Sequence, residues 1–525
     1  MKISFFLLLF VIVLPFYSSS QVNNELIKLS DLRFDSEEQR KAFYGFNENK
    51  EESDAFDLLY QAYDQSQSPA RSLALKRIND CVTYLATAIN GKSEAKVAKT
   101  VYNYVHKEFL NVYKEKNSFV DLFETGEFNC VSASALYAIV FSKLAIPFQI
   151  KETPTHVYLV AYPNTGKILI ETTAAQKGYY QFTYAFVNKF VENLYESKLI
   201  SKAEYETVPA NDLFNRHFFS SENVSLIHLA GLQYSNFAIY DLEKEELKKA
   251  NEEAKKAYFI YPDQKHKYIL ESTLSGLISK NGYDDMENVS NLILLSRFST
   301  MKNTDVNREA ISNEFIKITQ TQLIKNSDYE KFDQSYLKFS SELTDTILKK
   351  DIGFMYHFEL ARLGYLGSKS QEYVINHLDS AYQLNPLNAN MRSLTAAVYE
   401  RALHKYNDSK SIMELSDLFA GKFGFMKEAD YFLDIRSRCL LDLAYQTFFL
   451  NDLLKGENYL HELETFVKNN KSVQPTAELV ERAYGQAAGI YYKKGDYAKA
   501  KQLVKTGLMY APASFGLQQR LNQLK

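Results

Sequence analysis

Residues 125–137, which read TGEFNCVSASALY, decide how the chemistry-bearing part of this chain folds. Asn129 is a residue type that commonly caps helices, and apolar residues recur at helical spacing from Leu136 to Leu144 before Pro147 ends the element. The pattern predicts a loop that enters a helix, with Cys130 in the first turn. Because free backbone N–H groups and the positive end of the helix dipole favour a thiolate there, Cys130 is a candidate nucleophile.

The residues after Pro147 change from helical to alternating spacing and predict three short strands. Residues 148–151, 156–162 and 167–172 are the strands, and residues 163–166 form the turn between the last two. We therefore expect a helix followed by an antiparallel hairpin, which is an α+β arrangement.

The length of that turn decides whether His156 and Glu171 lie together. With a turn of four or two residues, Tyr162 pairs with Lys167 and His156 lies opposite Thr173. His156 and Glu171 then project from one face as diagonal neighbours, roughly 6–8 Å apart at the backbone. A turn of three residues would send them to opposite faces of the sheet.

Cys130, His156 and Glu171 together supply the parts of a thiol catalyst. In that hypothesis His156 accepts the thiol proton and later donates it to a leaving group, while Glu171 orients the imidazole and stabilises its charged form. The candidate oxyanion donors are the Cys130 backbone N–H and, upstream, Asn117 or Ser118.

With this order of residues, the chain resembles the transglutaminase-like, papain-related superfamily over residues 68–178. The family places Cys on a helix, His on one strand and Asp on the next, and Cys130, His156 and Glu171 stand at those positions. Glu171 replaces the usual Asp, and the family's Trp has no counterpart because the chain has no Trp. The resemblance implies hydrolysis or cross-linking at amide bonds of peptides or proteins, with no metal and no cofactor.

The C-terminal part, about residues 215–525, is predicted to be helical throughout and to contain degenerate repeats. In the last unit, small residues and a closing proline occupy the positions at which paired helices approach and end, namely Ala488, Ala500, Gly507 and Pro512. Weaker matches cover residues 238–262 and 358–386. The motifs resemble the tetratricopeptide repeat family, which implies a solenoid that binds peptides or proteins. A generic helical bundle with chance matches is the alternative.

The N-terminal residues 1–20 have the features of a secretory signal peptide. Lys2 precedes an apolar run at residues 5–17, and three serines follow it. We expect a mature protein that begins near Gln21 and is exported to the periplasm or the medium, with an uncleaved anchor as the alternative. No later stretch is apolar enough to predict a membrane span.

Charge and cysteine content exclude several other classes of function. Lys plus Arg is 61 and Asp plus Glu is 64, a net charge of −3, which is unlike the basic excess of nucleic-acid binders. Three widely spaced cysteines exclude a disulfide scaffold. Cys81 and Cys439 lie in amphipathic helical patterns and are predicted to fill cores, and the remaining histidines have no metal-ligand spacing.

These observations predict four parts: a signal peptide at 1–20, an extension at 21–67, a transglutaminase-like domain at 68–214 and a tetratricopeptide-like helical domain at 215–525. Whether the extension covers the cleft is left open. The first hypothesis is an exported thiol-dependent hydrolase or acyltransferase that uses Cys130, His156 and Glu171. The second is a non-catalytic protein-binding scaffold that retains a degenerate transglutaminase-like domain.

Overall fold

A computed structural model describes residues 26–46, 51–62, 71–153, 156–173, 178–181, 184–196, 198–218, 222–301, 306–367 and 369–524. The predicted signal peptide lies outside these described residues. The chain divides into two compact units, Met1–Ile311 and Ser312–Lys525.

The first unit combines helices with two small sheets. Its helices are α1 Glu37–Gly45, α2 Glu51–Tyr60, α3 Arg71–Ala88, α4 Glu94–Phe109, α5 Asp121–Glu124, α6 Cys130–Lys143, α7 Tyr184–Glu196, α8 Lys202–Thr207, α9 Ala210–Phe218, α10 Leu226–Glu243, α11 Leu247–Ile260, α12 Gln264–Asn281, α13 Met286–Ser296 and α14 Arg308–Ile318, within which the unit boundary falls. Its strands are β1 Val112–Tyr113, β2 Glu127–Phe128, β3 Phe148–Thr153, β4 His156–Ala161, β5 Ile168–Ile170, β6 Tyr179–Gln181 and β7 Glu222–Val224.

The larger sheet carries the hairpin that the sequence predicts. Its strand order is β6-β5-β4-β3-β7, and every neighbouring pair is antiparallel. Helix α6 packs against β3 and β4 on one side and against α10 on another. Its residues Val131–Phe141 are all buried, so this helix runs through the core of the unit. Strands β6 and β7 were not predicted, because each has only three residues, and β7 also pairs with β3, from which several other elements separate it in sequence.

The predicted domain junction at 214/215 differs from the division in the structure. Strand β7 pairs with β3 of the main sheet. In α10, the Gln233 side chain accepts from Phe119 N–H and donates to Leu59 O, both at 2.9 Å. These contacts join residues that are far apart in the sequence, so local patterns do not reveal them. The helical pattern after residue 215, taken alone, therefore predicts a separate domain. The segment 222–311 belongs to the first unit.

The described part of the N-terminal extension is also built into the first unit. The Phe43 ring of α1 lies 5.5 Å from Tyr234 and 6.0 Å from Phe259, measured between ring centroids. Asp31 forms an ion pair with Arg297 at 2.6 Å. The described part of the extension therefore packs on α10, α11 and the end of α13.

The second unit consists of consecutive helical hairpins. After a π-helical turn at Thr319–Lys325, its helices are α15 Tyr329–Glu342, α16 Thr346–Leu366, α17 Gln371–Leu384, α18 Ala389–Leu403, α19 Ser409–Lys422, α20 Asp430–Phe449, α21 Leu453–Asn469, α22 Ala477–Lys493, α23 Tyr497–Tyr510 and α24 Phe515–Gln523. A short 3-10 helix, Gly424–Glu428, precedes α20. Within the described part of the chain, no helix is both long enough and apolar enough to cross a membrane.

The predicted small residues lie where helices of the second unit meet. Ala488 and Ala500 are buried in one apolar cluster formed by α20 to α24. A Cβ atom added at Gly507 would lie 2.9 Å from the Cβ of Tyr484, so α22 and α23 approach too closely there for any side chain. Pro386 and Pro512 follow the ends of α17 and α23, as expected for residues that cannot continue a helix.

Candidate active site

Helix α6 begins at Cys130, as the sequence predicts. The Asn129 Oδ1 atom accepts from the backbone N–H groups of Val131 and Ser132 at 3.0 Å, and Ser132 Oγ accepts in return from Asn129 N–H. This reciprocal cap fixes the first turn of the helix. Cys130 is a free, half-buried cysteine at the start of an otherwise buried helix.

The hairpin has the register that brings His156 and Glu171 to one face. Leu159 pairs with Ile170 and Ala161 pairs with Ile168. The Lys167 N–H donates to Tyr162 O at 2.9 Å, which leaves residues 163–166 as the turn. This is the four-residue alternative among the predicted turn lengths.

His156 and Glu171 are in direct contact. The Nε2 atom of His156 lies 3.0 Å from Oε1 and 2.9 Å from Oε2 of Glu171. The two side chains are partly buried, with 31% and 21% of their surface exposed. Because the carboxylate engages Nε2, the ring nitrogen left for another partner is Nδ1.

The protonation of this pair is coupled to Cys130. The hydrogen bond with the Cys130 side chain, and then the one with Glu171, raises the pKa of His156 to about 10, although burial acts in the opposite direction. Burial raises the pKa of Glu171, but hydrogen bonds from His156 and Thr173 outweigh it and hold this pKa below its usual value. Both shifts favour an imidazolium beside a carboxylate at neutral pH.

Thr173 and Tyr102 hold Glu171 in place. The backbone N–H and the hydroxyl of Thr173 donate to Glu171 Oε1 at 3.1 and 2.7 Å. The Tyr102 hydroxyl donates to the Glu171 backbone carbonyl at 3.4 Å. A Cβ at Gly178 would collide with this hydroxyl and this carbonyl, so only glycine fits beside them.

The predicted oxyanion role of Asn117 and Ser118 is wrong. Asn117 Nδ2 donates to Glu127 O at 2.8 Å and to Asp121 at 3.2 Å. The Ser118 N–H and hydroxyl both donate to the same Asp121 oxygen, at 2.7 and 2.9 Å. These donors are already used in hydrogen bonds that stabilise the loop before α5, because the Asp121 carboxylate needs hydrogen-bond donors where it packs against that loop.

Two tyrosines that the sequence analysis did not single out lie near Cys130. Burial, the charge of Glu115 and then that of Cys130 raise the pKa of Tyr240 to about 12. Burial and then the charge of Cys130 raise the pKa of Tyr113. Tyr113 lies in β1 and Tyr240 in α10, so no local pattern could connect either residue with Cys130.

The other cysteines lie in cores, as predicted. Burial raises the pKa of Cys81 to about 12 and that of Cys439 to about 11. Among the residues that the structure describes, no group of three or more His, Cys, Asp and Glu side chains could hold a metal ion.

The comparisons with known proteins show no family. No protein-family model matches the chain, and no curated protein matches it. A solved structure of Naa15/Naa10 bound to HypK-THB is 11% identical, covers 65% of each chain and has a TM-score of 0.19. The APC/C hetero-tetramer Cut9-Hcn1 is 11% identical over 95% of this chain and 67% of the other, with a TM-score of 0.14. The chain therefore spans about two thirds of each of those chains. TM-scores this low carry no argument about the fold, which rests here on the helices and strands themselves.

Proposed function

We propose that this protein is a thiol-dependent hydrolase or acyltransferase that acts on amide bonds of peptides or proteins. Cys130 is the nucleophile, His156 is the general base and acid, and Glu171 orients the imidazole. The observation that carries the proposal is the contact of His156 Nε2 with Glu171 at 2.9 Å, together with the effect of Cys130 and then Glu171, which raise the pKa of His156. Cys130 begins helix α6, His156 begins strand β4, and Glu171 directly follows strand β5.

The proposed acylation step begins with a Cys130 thiolate and a His156 imidazolium. The sulfur attacks the carbonyl carbon of the amide and forms a carbon–sulfur bond. When the carbon–nitrogen bond breaks, His156 gives its proton to the leaving nitrogen. The product of this step is a thioester on Cys130 and a free amine.

The thioester is then released by water in hydrolysis or by a second amine in acyl transfer. The incoming group attacks the carbonyl carbon, His156 takes its proton, and the carbon–sulfur bond breaks to restore the thiolate. We assign the oxyanion to the backbone N–H of Cys130, because Asn129 Oδ1 already accepts from the N–H groups of Val131 and Ser132.

The test is the rate of alkylation by iodoacetamide against pH, followed at each cysteine by mass spectrometry in the mature protein and in His156→Ala. We expect the Cys130 rate to reach a plateau below about pH 7 and to lose that plateau in the variant. Cys81 and Cys439 are internal controls, since burial raises both of their pKa values. Alkylation of Cys130 that rises only near about pH 8.5, with or without His156, contradicts catalysis.

A second candidate function is a non-catalytic scaffold, and the second unit favours it. We infer that its hairpins form a tetratricopeptide-like solenoid that binds peptides or proteins. Large apolar side chains are exposed at the turn between α20 and α21, where Phe449, Leu450 and Leu454 are 68–79% exposed. A folded protein in which Cys130 behaves as an ordinary thiol would support this function over catalysis.

We also propose that the protein works outside the cytoplasm after removal of residues 1–20. The support is the pattern of a charged start, a short apolar run and small residues. Mass spectrometry of the N-terminal peptide from the native source tests this, and a mature terminus near Gln21 is expected. A retained Met1 would contradict it.

A further inference from the structure

Among the residues that the structure describes, strand β1 pairs along one edge only, and its partner β2 leads directly into Cys130. The N–H of Val112 donates to Gly126 O at 3.2 Å, and the N–H of Lys114 donates to Phe128 O at 2.8 Å, so both amides face β2. Because backbone groups of successive strand residues point in opposite directions, the N–H and C=O of Tyr113 face away from β2. Among the described residues β1 pairs with β2 alone, and both of its side chains are more than half exposed.

Asn129 ties this edge to the nucleophile. Its Oδ1 caps the helix that begins at Cys130, and its Nδ2 donates to the backbone carbonyl of Glu115 at 3.0 Å. Glu115 lies two residues after the end of β1. The same carbonyl accepts from the Tyr240 hydroxyl at 2.7 Å. One side chain therefore sets the position of the β1 edge relative to the Cys130 sulfur.

The strand direction leads towards the site. Strands β1 and β2 are parallel, with Tyr113 opposite Phe128, and β2 continues through Asn129 into Cys130. The Tyr113 ring lies 5.9 Å from the Phe128 ring. Burial, and then charges that include those of Cys130 and Glu171, raise the pKa of the Tyr113 hydroxyl. A chain that extends along the outer edge of β1 therefore reaches the level of the nucleophile.

We propose that the backbone N–H and C=O of Tyr113 bind the substrate as an extended peptide by strand addition. This inference rests on the proposed function and names its substrate class, an extended peptide segment whose carbonyl reaches Cys130. The occupant is a peptide because the edge offers one donor and one acceptor in strand geometry beside a group that attacks carbonyls. Main-chain pairing supplies affinity, and alternate side chains of the peptide meet the protein.

The test compares two alkylating reagents on the full mature protein, acetyl-trialanyl chloromethyl ketone and iodoacetamide. With the ketone, the Cys130 sulfur forms a thioether as the carbon–chlorine bond breaks and chloride leaves. Iodoacetamide reports the thiolate alone, whereas the ketone also needs its peptide to dock. The quantity measured is the ratio of the two rates at Cys130, obtained by mass spectrometry.

Tyr113→Pro removes the outward N–H, and proline is tolerated at an edge strand. Tyr113→Ala keeps this N–H and is the matched control for loss of the ring. We expect the rate ratio to fall about tenfold further in Tyr113→Pro than in Tyr113→Ala, as for loss of a hydrogen bond. A second measurement uses the unchanged protein and ketones that are methylated at one backbone nitrogen at a time. Methylation at one of these nitrogens should lower the rate ratio by a similar factor. This measurement tests the proposal even if Tyr113→Pro does not fold.

The outcomes separate the two proposals. If the rate ratio is equal in Tyr113→Pro and Tyr113→Ala, and no methylated ketone reacts more slowly, strand addition is overturned. Fast iodoacetamide alkylation of Cys130 in the same experiment leaves the proposed function intact. Slow iodoacetamide alkylation at pH 7 overturns the proposed function and, with it, the docking of a substrate on β1.

Discussion

The Nε2 atom of His156 lies within 3.0 Å of both carboxylate oxygens of Glu171. The side chain of Glu is one methylene longer than that of the Asp found in the resembling family. Thr173 holds this longer side chain in place, because its N–H and hydroxyl both donate to Oε1. The carboxylate of Glu171 therefore meets the imidazole of His156 directly.

Ionisation of His156 makes stability depend on pH. Its pKa is raised to about 10 in the folded state, above the unfolded value of about 6.5. The stabilisation is therefore fully present below about pH 6.5 and is lost as the pH rises through about 10. Urea unfolding of the protein and of His156→Gln should show a difference in unfolding free energy that shrinks between pH 6 and pH 10. A difference that stays constant over this range would contradict the ion pair.

Thr173 is a positioning residue whose hydroxyl keeps Glu171 ionised. Thr173→Val removes the 2.7 Å hydrogen bond but keeps the backbone one, so the pKa of Glu171 should rise and that of His156 should fall. We expect about a tenfold loss in the rate of Cys130 alkylation at neutral pH, the size of one hydrogen bond to a charged group. NMR titration of the His156 ring checks the pKa, and Thr173→Ser should restore both readouts. A merely structural role would leave the His156 titration unchanged.

Gly507 allows α22 and α23 to approach each other. In Gly507→Ala the new Cβ would lie 2.9 Å from Tyr484 Cβ and 3.0 Å from Leu517 Cδ1, so we expect a loss of about 1–3 kcal/mol in unfolding free energy. Gly421→Ala is the matched control, because this helical position in α19 has no atom within 4 Å of the added Cβ. It should be neutral or stabilising by up to about 1 kcal/mol. Denaturant unfolding of both variants measures the difference, and equal stabilities would refute the close packing.

Lys256 balances a buried acid in the first unit. Its side chain is 1% exposed and forms ion pairs at 3.0 Å with Glu253 and Asp35. Burial raises the pKa of Glu253 to about 7 even with this partner. Lys256→Ala leaves that acid unpaired, and we expect a loss of about 3–5 kcal/mol in unfolding free energy.

Two further variants control for this effect. Lys249→Ala, which removes an exposed pair with Glu246, should leave the stability unchanged. Lys256→Met combined with Glu253→Leu should recover part of the loss, since it removes both buried charges. If the double variant is as unstable as Lys256→Ala, lost packing rather than the unpaired acid is responsible.

Local patterns predicted the parts of the site that depend on neighbouring residues. Asn129 was recognisable as a cap, and the alternation around Pro163–Gly166 gave a set of registers that included the observed one. The role of Asn117 was missed because its donors are used by Asp121 and Glu127, and hydrogen-bond competition in a loop leaves no periodic signal. Tyr113 was missed for a related reason, since its proposed role depends on an edge of β1 that has no strand partner in the described part of the chain.

By itself, the sequence determined that Cys130 begins a helix and that His156 and Glu171 can share a face of a hairpin. Those results follow from capping chemistry and from the two-residue period of a strand, which act over a few residues. Only the tertiary structure decided which turn length holds, where the first unit ends and that the side-chain donors of Asn117 and Ser118 are already used by other groups. These depend on contacts such as Gln233 with Leu59 and β7 with β3, which join residues that are far apart in the chain. Such contacts are selected by burial and hydrogen-bond satisfaction across the whole core, which no local pattern records.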